Sequence, residues 1–188
     1  MIEIIKQAVA NKFSEHPDRL KHTEGVVETA VMLAKRYEVD VDQAALAAWF
    51  HDYTKYDDIA DQIRYLDLKI VKKYSDVSEV YHAFSAAAIL ELNFQIKDKL
   101  VLDAIRYHVW GRPNMTKLEK IIFLADKIEP LRTYSDVDKI RQLSLESLDL
   151  ALIKLFESLN EYYVRTNLEL TEDFRQAFNY LKEELKSE

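Results

Sequence analysis

Ala44-Ala45-Leu46-Ala47-Ala48-Trp49-Phe50-His51-Asp52-Tyr53-Thr54-Lys55 sets an imidazole and a carboxylate directly behind an unbroken apolar run. Alanine and leucine favour helix, and Asp40 or Asp42 is placed to cap the start. The stretch reads as a buried helix whose last turn carries two polar groups. Such groups need partners away from water. A divalent metal ion satisfies both, since neutral imidazole suits transition metals and a carboxylate adds charge.

Outward from this stretch the pattern stays helical. Ile2, Ile5, Val9 and Phe13 recur at helical spacing and predict a first helix, ended by the polar break Ser14 to Asp18. A second helix is expected from about Asp18 to Tyr37, with Val26, Val27, Ala30, Leu33 and Ala34 inward. Beyond Lys55, a short helix is expected over Asp57 to Leu66, another from near Val77 through Leu92, and another over Lys97 to His108. Gly111-Arg112-Pro113-Asn114 makes a loop. Thr116 and Glu119 have capping-box spacing and open a helix to Ile128, closed by Pro130. Arg132 to Asp136 reads as a polar connector. A long helix is expected over Ser144 to Arg165, and Thr171 caps a last one to about Lys186. The expected fold is all-α, one bundle of about eight to ten helices without a linker or repeat.

Composition bounds the chemistry. In 188 residues there are two glycines, three prolines and no cysteine. All-β folds and glycine-rich phosphate loops are thereby disfavoured, and thiolate metal sites and thiol nucleophiles are excluded. The net charge of −7 argues against a nucleic-acid partner. No segment reads as a signal peptide or a membrane span, so the chain is expected in the cytoplasm, away from membranes.

Five histidines are present. His16 sits in the first break; His22, His51, His82 and His108 fall on or near the ends of different predicted helices. Asp126 lies in Phe123-Leu124-Ala125-Asp126-Lys127-Ile128, flanked by apolar residues. Each alone has an ordinary reading: a surface histidine, a chance dipeptide, an aspartate paired with Lys127. Their joint order carries the case. Arg19-Leu20-Lys21-His22, His51-Asp52-Tyr53-Thr54-Lys55, His82, His108 and Asp126 resemble the HD phosphohydrolase superfamily. Tyr81-His82-Ala83, His108-Val109-Trp110-Gly111-Arg112-Pro113-Asn114-Met115 and Leu124-Ala125-Asp126-Lys127-Ile128-Glu129-Pro130 are similar to its YqeK family. There Gly-Arg-Pro-Asn-Met is the most specific piece, and Val109-Trp110 departs from the usual small polar residues.

That resemblance implies a single HD-type domain over 1–188, its motifs between about 18 and 130, with helices over 144–186 packing on it and closing the nucleotide site. It implies symmetrical cleavage of diadenosine tetraphosphate to two ADP by attack of a metal-bound hydroxide on phosphorus. His22, His51, Asp52 and Asp126 are the implied ligands. The cofactor is one or two divalent transition-metal ions, iron first, with manganese, cobalt and zinc compatible. Asp52 bridges two metals or orients water; Lys55 reaches a phosphate or the leaving oxygen. His82 and His108 contact phosphate or hold a second metal. Arg19 pairs with Asp52 or phosphate, Arg132 clamps phosphate, and Arg112 is a weaker candidate. The segment Thr171 to Gln176, with Thr171 and Arg175, closes over a ribose or base. The partner is a small dinucleoside polyphosphate or nucleotide, and a homodimer is compatible. Three alternatives remain in view, the first two being another HD-type enzyme (a 5'-deoxynucleotidase, guanosine tetraphosphate hydrolase or cyclic-nucleotide phosphodiesterase) and a nucleotide sensor without turnover. A helical interaction module without a ligand site is the third.

Overall fold

The computed structural model describes residues 1–187 and is all helical: eleven α-helices and one short 3₁₀ turn, with no strand among the described residues. The helices are α1 Ile2–Lys12, α2 Pro17–Arg36, α3 Val41–Phe50, α4 Ile59–Ile63, α5 Leu68–Lys73, α6 Tyr81–Phe94, α7 Lys99–Arg106, α8 Lys117–Ile128, α9 Val137–Ser144, α10 Leu148–Thr166 and α11 Glu172–Ser187. None is long and apolar enough to cross a membrane.

The helix starts follow local chemistry. Pro17 opens α2, where its missing N–H is not needed. Asp40, not Asp42, caps α3 by accepting from the Gln43 amide at 2.9 Å. The capping box on α8 is complete: Thr116 Oγ1 accepts from Glu119 N, and Glu119 accepts from Thr116 N. Gly111 and Asn114 both have positive φ, at 72° and 55°, which shapes the loop before α8.

Helix α3 is the spine. Ala44, Ala45, Ala47, Ala48, Trp49 and Phe50 are all buried, and α2, α7, α8 and α1 pack around it. Its small alanines let neighbouring helices come close. Buried Val26, Ala30 and Leu33 of α2 and Ile121, Ile122 and Leu124 of α8 complete this centre. A smaller cluster of Tyr74, Val80, Tyr81 and Phe84 seats the segment between α4 and α6.

Two short helices, α5 and α9, lie outside the nine segments expected. Helix α5 buries no residue, so no apolar stripe announces it. Helix α9 fills the stretch between the Arg132–Asp136 connector and the long helix, where no element was expected. It buries only Val137, Ile140 and Ser144, and the long helix starts at Leu148 on a Ser147 cap rather than at Ser144.

Candidate metal centre

Four imidazoles and two carboxylates converge where α2, α3, α6, α7 and α8 meet. His22 lies in α2, His51 caps the end of α3, His82 opens α6, His108 follows α7, and Asp126 lies in α8. All of them, with Asp52, are buried.

Each ring is oriented through Nδ1. His51 Nδ1 donates to Ala48 O at 2.7 Å and His108 Nδ1 to Ile105 O at 2.7 Å. His82 Nδ1 makes a short contact with Glu79 O. His22 Nδ1 donates to the Glu129 carboxylate at 3.1 Å. A carbonyl or carboxylate oxygen only accepts, so each Nδ1 carries the proton and each Nε2 presents a lone pair. All four Nε2 atoms face the carboxylates of Asp52 and Asp126, which are themselves acceptors. His22 Nε2 lies 3.2 Å from Asp126 Oδ1, and His51 Nε2 lies 3.4 Å from Asp52 Oδ2. Neither nitrogen has a hydrogen-bond partner although both are buried. An assembly of acceptors turned inward is the donor set of a divalent cation, and it fits one.

The two oxygens of Asp52 face different histidine pairs. Oδ2 is 3.4 Å from His51 Nε2 and 3.8 Å from His22 Nε2. Oδ1 is 3.0 Å from His82 Nε2 and 3.6 Å from His108 Nε2. Donor atoms within metal-ligating reach of one another form the groups His22–His51–Asp52, His51–His108–Asp126 and Asp52–His82–His108.

Charge follows the geometry. Burial opposes ionisation of Asp52, but the imidazoles of His51, His108 and His82 gathered around it outweigh that cost and hold the carboxyl well below its ordinary value. Burial likewise opposes ionisation of Asp126, and Lys127, His22 and His51 overcome it. Burial pushes His108 down to about 4.

Four cations edge the centre. Arg19 Nη1 donates to Asp52 Oδ2 at 2.7 Å, one of the two partners expected for it. Arg132 Nη2 donates to Asp126 Oδ1 at 2.9 Å and its Nε to Asp126 O at 2.9 Å. Lys127 Nζ donates to Asp126 Oδ2 at 2.7 Å and to His108 O at 2.6 Å. Lys55 Nζ lies 3.5 Å from His82 Nδ1. All four line a cavity of about 280 Å³ over the centre, whose far wall is Val109, Trp110, Leu159, Tyr163 and Phe174.

The C-terminal segment reaches this cavity through a different residue from those expected. Phe174 lines it. Thr171 Oγ1 accepts from Phe174 N at 3.2 Å and serves as a helix cap. Arg175 turns to the outer face of α11, where its side chain is 55% exposed and lies 3.8 Å from Glu172. Arg112 is also placed elsewhere: it donates to Glu119 at 2.6 Å and Asp103 at 3.2 Å, bracing α7 against α8.

Sequence reasoning passed over Glu129, whose carboxylate holds His22 and also accepts from Leu131 N at 2.6 Å. Its signal was available: it lies three residues after Asp126, on the same helix side. Gly25 leaves room for it, since a Cβ there would meet Glu129 Oε2 at 2.9 Å. Trp110, Tyr163 and Phe174 gave no such signal, because aromatic residues at helical spacing usually pack in a core.

Residues 19–131 match the HD domain family. The chain is 39% identical to the symmetrical bis(5'-nucleosyl)-tetraphosphatase of Halalkalibacterium halodurans, over 96% of each chain. It is 36% identical to the enzyme of the same name from Bacillus subtilis, covering 92% of this chain and 93% of that one. The crystal structure of a predicted HD superfamily hydrolase involved in NAD metabolism from Clostridium acetobutylicum superposes with a TM-score of 0.89, at 31% identity and 98% coverage of both chains.

Proposed function

Because this chain belongs to the HD-domain family, among the symmetrical bis(5'-nucleosyl)-tetraphosphatases, we propose that it hydrolyses diadenosine tetraphosphate to two ADP. The observation that carries the reading is the inward set of imidazole lone pairs and carboxylates, with the buried Nε2 atoms of His22 and His51 unpartnered, a donor set that suits a divalent cation. His22, His51, Asp52 and Asp126 hold one divalent ion. His82 and His108, with the second oxygen of Asp52, provide for another ion or for phosphate. Iron leads among the candidate metals, with manganese, cobalt and zinc compatible with the same donors. Bound there, such an ion polarises a phosphoryl oxygen and acidifies a coordinated water.

The chain's own groups do the rest. Asp52 stays ionised and fixes the centre between the two histidine pairs. Lys55 sits beside His82, where its ammonium donates to the oxygen that leaves with one ADP. Arg19, Lys127 and Arg132 bring three further positive charges to the polyphosphate; their guanidinium and ammonium donors suit phosphate oxygens. Water adds across the central phosphoanhydride: its hydroxyl ends on one phosphorus, and the bridging oxygen leaves with the other and takes a proton. Helices over 144–186 close the nucleotide end through Leu159, Tyr163 and Phe174.

The test is a metal assay joined to a product assay. Purified chain is expected to carry divalent metal and to release ADP alone from diadenosine tetraphosphate. Asp52→Ala is expected to keep its helical circular dichroism, to lose metal and to release no ADP. A wild type that binds the dinucleotide without releasing ADP would instead support a sensor. Release of AMP and ATP would overturn the symmetrical reading.

A further inference from the structure

A second cavity, of about 530 Å³, lies next to the one over the metal centre and shares Lys127, Arg132 and Leu159 with it. Its volume falls within the ~300–1,000 Å³ of small-molecule sites, whereas the 280 Å³ beside the histidines is too small for a whole dinucleotide. One wall is the connector after α8, with Tyr134. The other is a stripe of α10: Ser158, Glu161, Tyr162 and Arg165. These have i, i+3, i+4, i+7 spacing, the pattern that normally turns a helix face into the core. Here the stripe is polar and aromatic and borders open space. Tyr134 Oη is buried and has no hydrogen-bond partner.

Resting on the reading above, we propose that this cavity receives one nucleoside of the dinucleoside polyphosphate, while the Trp110–Tyr163–Phe174 end of the metal cavity receives the other. Cleavage at the central anhydride leaves two phosphates on each side, so the reacting atoms lie midway between the two nucleosides. A site built for it therefore needs two berths joined by a cationic bridge. Lys127 and Arg132, common to both cavities, form that bridge. Tyr134 and Tyr162 give a base faces to stack on, and Ser158 and Glu161 offer hydrogen bonds to ribose or base edges.

The experiment uses metal-loaded full chain, ADP as probe in equilibrium dialysis, and diadenosine tetraphosphate kinetics. Wild type is expected to hold two ADP per chain at saturation. Tyr162→Ala alters a half-exposed side chain, and Ser158→Trp fills the cavity from a partly exposed position. Each is expected to retain one ADP, which also certifies the fold, and to raise KM about tenfold, as loss of a base stack does. Wild type holding one ADP, or variants with unchanged KM and two ADP, would overturn the cavity assignment while leaving the hydrolase reading in place. A wild type that leaves diadenosine tetraphosphate intact would overturn the hydrolase reading itself.

Discussion

Replacing Glu129 by glutamine removes one charge and keeps the shape. Glu129 is 1% exposed; its oxygens accept from His22 Nδ1 at 3.1 Å and Leu131 N at 2.6 Å, and Arg132 Nε lies 3.5 Å from Oε1. A glutamine amide has one accepting oxygen and one donating NH₂. Turned either way, its NH₂ meets a donor. If it faces His22, the ring can accept only by moving its proton to Nε2, which withdraws a lone pair from the centre. If it faces Leu131, a buried amide goes unsatisfied and His22 keeps only a neutral partner. A hydrogen bond to a charged group contributes about 1.5–3 kcal/mol. At about 1.4 kcal/mol per tenfold, that corresponds to roughly 10- to 150-fold in affinity. The independent figure for partners that orient metal-ligating histidines, about 10- to 100-fold, agrees with it. Glu129→Gln should therefore weaken metal binding by about 10- to 100-fold, read by competition with a chromophoric chelator. Unchanged metal affinity in a folded variant would refute the reasoning and leave Glu129 as a loop brace only.

Three further outcomes follow from the same structure. Gly25→Ala drives a methyl to 2.9 Å from Glu129 Oε2 and 3.2 Å from Pro130 Cδ, so it should cost about 1–3 kcal/mol in urea unfolding and weaken metal binding as well. Arg112→Ala strands the 1%-exposed Glu119, and should lower stability by about 3 kcal/mol, the low end for a broken buried pair, without changing metal affinity. In chelator-treated protein, the depressed folded pKa values of Asp52 and Asp126 mean that their contribution to stability is complete above the unfolded carboxylate pKa of about 3.9. It is lost as pH falls below that value, and Asp126→Asn should flatten the stability profile there, as followed by circular dichroism.

How much of this was legible in the chain depends on where each instruction resides. The buried helix could be read because residue type and apolar context state it directly, whereas the His51-Asp52 pair and the distal Asp126 could be read as a site only from their joint order with the other histidines. The Thr116–Glu119 box, like the helix, could be read directly. The ring orientations could not. Carbonyls of Ala48, Glu79 and Ile105 fix three of the four imidazoles, and every residue has a carbonyl. Helix α9 was hidden because Val137, Ile140 and Ser144 are sparse among charges. Arg175 was expected to close over a ribose or base, yet Phe174, one residue and about 100° away around the helix, faces the cavity. Arg112 carried the right charge but belongs to a buried brace with Asp103 and Glu119.

The three carbonyl-held rings share one local device: in each, the acceptor lies three positions earlier in the chain. Ala48 to His51, Glu79 to His82 and Ile105 to His108 are thus self-aiming tetrapeptides. Each keeps its imidazole directed while its surroundings drift over evolutionary time, provided the turn survives. His22 lacks that insurance, because its aim depends on a side chain 107 positions away. Variation that retunes this catalyst without dismantling it has its easiest entry at that corner, and a designer grafting the centre onto another helical scaffold would have to import the α2–α8 corner whole.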